Sequence, residues 1–148
     1  MPTKFQLITK LYDQTVQNVT RSYESWTGVL RAACYNYKCP FDEQILIYAQ
    51  RPDATAVLEM ERWNRRFGRW VNRGAKSIAV FSDDGQNCLK LYFDVSDTHA
   101  SRFARPLPIW TMQPAFEPEV IETLEATFGD LAENCLLYTS DAADEARS

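Results

Sequence analysis

The sequence predicts an α+β fold: helices first, then a small antiparallel sheet, then an acidic helix. Three observations predict it. Apolar residues recur every three or four positions as far as Phe67, the period changes to two after Gly68, and a proline-rich break precedes a glutamate-bearing apolar stripe. With 148 residues, 45% hydrophobic and 13% aromatic, the chain has enough apolar material for one packed core.

Taken in order, Ile8, Tyr12, Val16, Val19, Tyr23, Trp26, Leu30 and Ala33 form the stripe of one or two amphipathic helices. Ser25 is the expected N-cap restarting the second, and Pro40 ends it. "FDEQILIYAQ" reads as a short helix burying Ile45, Leu46, Tyr48 and Ala49, and "RPDATA" as a turn. A helix from Ala56 to Phe67 follows, stopped by Gly68, whose missing Cβ suits a left-handed C-terminus. At about 100° per residue, Ala56, Met60, Trp63 and Phe67 share one side, so Trp63 is expected in the core with Arg62, Arg65 and Arg66 exposed.

Beyond Gly68, "RWVN", "SIAVFS" and "CLKLYFDV" alternate, and "RGAK" and "DDGQ" supply turn glycines, which predicts a three-stranded antiparallel meander. Leu89, Leu91, Phe93 and Val95 are expected on one face, and Cys88, Lys90, Tyr92 and Asp94 on the other. Pro106, Pro108 and Pro114 impose an extended segment around Ile109 and Trp110. Pro118 opens the acidic helix, with Val120, Ile121, Leu124 and Phe128 inward.

Charge is distributed unevenly. The formal net charge is -4, yet the span from Arg62 to Lys76 holds six cations (Arg62, Arg65, Arg66, Arg69, Arg73 and Lys76) and no acid. Acidity concentrates instead in residues 117–133, which lack any cation. A local cluster acts as its own field within a Debye length or two, so net charge misdescribes the basic stretch. Cations that run from a helix face through an Arg-Trp strand into an Arg-Gly-Ala-Lys turn would track a phosphate backbone, with Trp70 or Tyr92 as a stacking plate for unpaired bases. Stacking needs exposed base faces, which favours single strands over duplex. The competing expectations are a solvated basic face with Trp70 in the core, or a docking module for an acidic protein partner such as the chain's own glutamate-rich helix.

Other classes find little support. The four cysteines form no CxxC pair, and His99 is the single histidine, so no zinc site or other cofactor is expected. There is no GxSxG, phosphate-binding glycine loop or HExxH, and Asp94 and Asp97 read as a solvated turn, so no catalytic centre is expected. Without a signal peptide or an apolar run of membrane-spanning length, the chain is expected in the cytoplasm.

The wording "PFDEQILIYAQRPDATAVLEMERWNRRFGRWVNRGAKSIAVF", followed by "LYFDVSDT", resembles the N-terminal domain of ArdC-type antirestriction proteins, over roughly Trp26 to Trp110. The resemblance implies a single-stranded-DNA-binding module whose contacts are Arg62, Arg65, Arg66, Arg69, Trp70, Arg73 and Lys76. "YKCPFDEQILIYAQRPDATA" is similar to the start of very large conjugative-element and prophage proteins in which such a module precedes helicase or methylase regions. The chain departs from shorter family members at Glu43, where asparagine is frequent, and at Ala75, and the metalloprotease-like half of ArdC proteins lies outside the resemblance. The eleven residues Cys135 to Glu145 resemble a one-frame translation of a transposase adapter used in sequencing libraries. The expected organisation is therefore a helical leader over 1–24, the DNA-binding domain over 25–134, and a non-native tail over 135–148, with further domains of the native protein downstream.

Overall fold

The computed structural model describes residues 1–109, 111 and 113–129. Trp110, the end of the acidic stretch and the adapter-like tail lie outside the described residues. The chain divides into two compact units, Met1–Pro108 and Ile109–Ser148.

In the first unit, α1 (Lys4–Val19) starts with a capping box in which Thr3 and Gln6 satisfy each other's backbone N–H groups. Helix α2 (Tyr23–Tyr35) is capped by Ser22, whose hydroxyl accepts from the Ser25 N–H, so Ser25 is the donor to the cap and not the expected N-cap. This helix stops at Tyr35, and Pro40 instead precedes α3 (Phe41–Gln50) as its N-cap. The intervening loop is closed by the Gln44 side-chain amide, which donates to the Asn36 and Cys39 carbonyls. Ile45, Leu46 and Ile47 of α3 are fully buried, whereas Tyr48 and Ala49 are partly so. Helix α3 is the centre of the packing, lying against α1, α2 and the sheet. The residues set apart as a leader contribute Ile8 and Val19 to its two apolar clusters.

The strands are antiparallel, as expected, but they pair differently. A three-stranded sheet has the order β1 (Val57–Glu59), β4 (Leu89–Asp94), β3 (Ile78–Phe81), and a separate ribbon joins β2 (Arg69–Val71) to β5 (Thr98–Ala100). "RWV" therefore joins no meander. The third strand of the sheet is instead Val57–Glu59, which pairs with β4 rather than β3 and is a segment that the helical stripe had claimed. The cause is the Asp94 carboxylate, which accepts from the Thr55 and Ala56 N–H groups and pins that segment in extended form alongside β4. Helix geometry begins only at a single turn, α4 (Met60–Arg62), and continues as a π-turn over Trp63–Phe67. Gly68 does stop it, in the left-handed region at φ 61°.

Alternation gives β4 two faces, and the buried carboxylate of Glu43 decides where one of them turns. Lys90 and Tyr92 turn toward α3, where the buried Glu43 receives both, while Leu91 is exposed. Edge strand β3 is covered at Ala79, whose N–H and C=O both bond to the Gln50 side-chain amide. In the second unit, a 3₁₀ turn (Pro114–Phe116) leads into α5 (Glu117–Phe128). Its expected inward stripe is not enclosed: Ile121, Leu124 and Phe128 are exposed and Val120 is only partly covered. No helix among the described residues is long and apolar enough to cross a membrane.

Candidate functional site

The two tryptophans of the basic stretch part company because one lies in the π-turn and the other in a strand. Trp63 is 0% exposed, its ring tilts against Phe67 with centroids 5.6 Å apart, and its indole N–H donates to the Phe93 carbonyl at 2.8 Å. A buried indole with its one donor satisfied is a core residue. Trp70, at the middle of β2, is 53% exposed.

Register explains what surrounds Trp70. Its cross-strand partner is His99, and alternate residues of a strand share a face. Asn72 therefore lies on the face of Trp70 and His99, and its side-chain oxygen is 2.7 Å from His99 Nδ1. Arg69 belongs to the opposite face, where its Nε and Nη2 donate to the hydroxyl and carbonyl of Thr98 at 2.8 and 3.0 Å. Two of its donors thus tie the ribbon together.

The other five cations are exposed but not equivalent. Arg62 meets Glu59 at 3.3 Å and Arg65 meets Glu61 at 2.8 Å, the i,i+3 and i,i+4 neighbours on a helical turn. These acids lie just before the acid-free window, which is why the window alone overstated the free charge. Exposed pairs of this kind contribute about 0–1 kcal/mol, so either arginine exchanges its carboxylate for another anion at little cost. Arg66, Arg73 and Lys76 have no acidic partner among the described residues; Arg66 lies over the Phe67 ring at 5.8 Å. The turn that carries Arg73 and Lys76 passes through Gly74 at φ 83°, a left-handed conformation that suits glycine.

Four residues named from sequence turn out to belong to the scaffold. Tyr92 is no stacking plate: its hydroxyl donates to Glu43 at 2.9 Å, and burial followed by the bond to that carboxylate pushes it up to about 12. Glu43 lies on α3 with its side chain 4% exposed and Lys90 Nζ at 2.5 Å, so its contacts are with the sheet. Asp94 is buried rather than solvated. Burial alone would raise its carboxyl, but bonds from Ser96, Ala56 and Thr55 win and hold it below the ordinary range. Asp97 pairs with Arg51, whose Nη2 also donates to the Ser96 hydroxyl at 2.8 Å. "RPDAT" and "FDVSDT" are therefore the two halves of one clamp, formed by Arg51 with Asp97 and by Asp94 with the Thr55 and Ala56 amides.

Sequence reasoning missed His99, Arg102 and Phe103 as neighbours of the basic stretch. They are brought there by β5 and the segment that follows it, which no short-range pattern in the sequence marks as a strand. Among the described residues, no group of three or more His, Cys, Asp or Glu is arranged to hold a metal ion. Comparison with protein-family models, with curated proteins and with solved structures gives no match in any of the three.

Proposed function

We propose that this chain is a non-catalytic, cytoplasmic single-stranded-DNA-binding module of ArdC type, forming the N-terminal part of a larger DNA-processing or antirestriction protein of a mobile element. The observation that carries the reading is the exposed indole of Trp70 beside His99, on a ribbon whose flanking cations Arg66, Arg73 and Lys76 lack acidic partners among the described residues. A flat aromatic ring among uncommitted cations is the chemistry that unpaired bases on a phosphate backbone require. Arg62 and Arg65 add reach by releasing Glu59 and Glu61, and Arg69 holds the ribbon in shape. The resemblance of "RPDATA" and "GRWVNRGAK" to the ArdC N-terminal domain points the same way.

Fluorescence anisotropy with a labelled oligonucleotide and with its duplex tests this directly. The expected result is tighter binding of the single strand, with quenching of exposed tryptophan emission as bases stack on Trp70. Absence of binding at low salt, or preference for the duplex, would overturn the reading and leave the basic surface to an acidic protein partner.

A further inference from the structure

The surface around Trp70 does not end at the ribbon. Strand β5 runs into Ser101–Arg105, which folds back across the end of the π-turn as a short strap. The Ser101 N–H donates to the Gly68 carbonyl at 3.1 Å and the Arg105 N–H to the Phe67 carbonyl at 2.9 Å. Gly68 permits this approach, since a Cβ there would lie 2.8 Å from the Phe103 carbonyl oxygen. Two main-chain bonds therefore fix the strap against the residues that close the arginine-bearing turn and open β2.

At its tip, Phe103 is 72% exposed. The guanidinium of Arg102 lies 4.6 Å from the ring centroid, and neither Arg102 nor Arg105 has an acidic partner among the described residues. The strap thus repeats the chemistry of the ribbon: an exposed flat ring with uncommitted cations, held by backbone bonds. At so exposed a site the Arg102–Phe103 contact is weak enough for the guanidinium to turn to a phosphate while the ring accepts a base.

We infer that the Ser101–Arg105 strap is a second part of the same single-stranded nucleic-acid surface, with Phe103 as a second base-stacking plate and Arg102 and Arg105 as phosphate contacts. The inference rests on the reading of Trp70 given above. It extends the bound strand beyond the ribbon and makes the contact length depend on both rings.

The test uses the full chain with Phe103→Ser, Phe103→Tyr, Arg102→Gln and Trp70→Ala, titrated with oligothymidylates of about 4 and about 12 nucleotides, which bracket the site sizes of single-strand-binding modules. Phe103→Ser should weaken the longer oligonucleotide by about fivefold or more, as loss of one stacked base does, and the shorter one less. Phe103→Tyr should restore binding, and Arg102→Gln should flatten the log-affinity against log-salt slope by about 0.7. Melting temperatures should not move, because the ring is exposed. If Trp70→Ala weakens binding while Phe103→Ser binds the longer oligonucleotide like the unaltered chain, the strap has no part in the site although the ribbon does. Failure of the unaltered chain to bind either oligonucleotide would remove both readings together.

Discussion

Lys90 of β4 places its ammonium 2.5 Å from the carboxylate of Glu43 on α3, and Glu43 is 4% exposed. The second carboxylate oxygen receives the Tyr92 hydroxyl at 2.9 Å, so one buried acid joins the central helix to the central strand. Removing a single partner from such a pair leaves a charge without water or counterion. Lys90→Met is therefore expected to cost about 3 kcal/mol, the low end for a broken buried pair because Lys90 keeps some contact with water. Adding Glu43→Gln should recover part of the loss, since a neutral amide still accepts from Tyr92. Urea unfolding of the single and double variants checks this; a double variant less stable than Lys90→Met would refute it.

The same cluster sets an alkaline limit. Burial, then the Glu43 charge, pushes the Cys39 thiol up to about 11, and Tyr92 is pushed up to about 12. Burial would lower the Lys90 ammonium, but its bond to Glu43 raises it instead. All three hold their protons more tightly in the native state than in the unfolded chain. Their contribution is complete below the ordinary values of about 8.5 for Cys and about 10 for Tyr and Lys, and is lost as pH rises through the folded values. Stability should be level near pH 8 and decline steadily toward pH 12. Tyr92→Phe should remove part of the decline above about pH 10. Urea midpoints that do not change over this range would contradict the linkage.

Trp63 and Trp70 should behave as different kinds of residue. Trp63→Ala removes a fully buried ring and its bond to the Phe93 carbonyl, and should cost about 3–5 kcal/mol. Trp70→Ala removes a half-exposed ring whose cross-strand contact with His99 contributes about 1 kcal/mol or less, yet it should weaken single-stranded DNA by about 1–3 kcal/mol. Thermal melts and anisotropy on both variants separate the two effects; a large stability loss in Trp70→Ala with unchanged binding would take away the stacking plate.

Local signals carried much of this fold, and distant contacts explain where they failed. The three-to-four spacing found the N-terminal helices, Gly68 marked the helix stop, and the position of Trp63 on the apolar side put it in the core. The β3–β4 hairpin followed from alternation and "DDGQ". Strand β1 was not legible, because Val57–Glu59 fits a helical stripe until Asp94, 38 residues beyond Ala56, takes up the backbone donors. Alternation likewise gives β4 two faces without saying which is inside; Glu43 decides that by offering Lys90 and Tyr92 a buried partner. At the candidate site the cations were visible as a run, but their pairing with Glu59 and Glu61 falls just outside it, and the nearness of His99 and the strap depends on a β2–β5 ribbon that no short-range pattern specifies.

That pairing gives the basic surface a graded response to salt. If about four cations neutralise phosphates, log affinity for single-stranded DNA should fall against log salt with a slope near about -3, from about -0.7 per phosphate. Arg66 and Arg73 have no acid to leave, so replacing both with glutamine should flatten the slope by about one to one and a half units. Replacing Arg62 and Arg65 should flatten it less, because Glu59 and Glu61 already offset part of their charge. The decisive variant is the reverse one. Glu59→Gln with Glu61→Gln frees both arginines and removes two negative charges near the strand's path, so it should tighten binding at low salt and steepen the slope. A docking surface for an acidic protein would also gain from that change, but it would show no preference for unpaired bases. Parallel titrations with single strand and duplex therefore separate the two: an equal gain for both nucleic acids would mean that charge alone acts there, with Trp70 reading nothing.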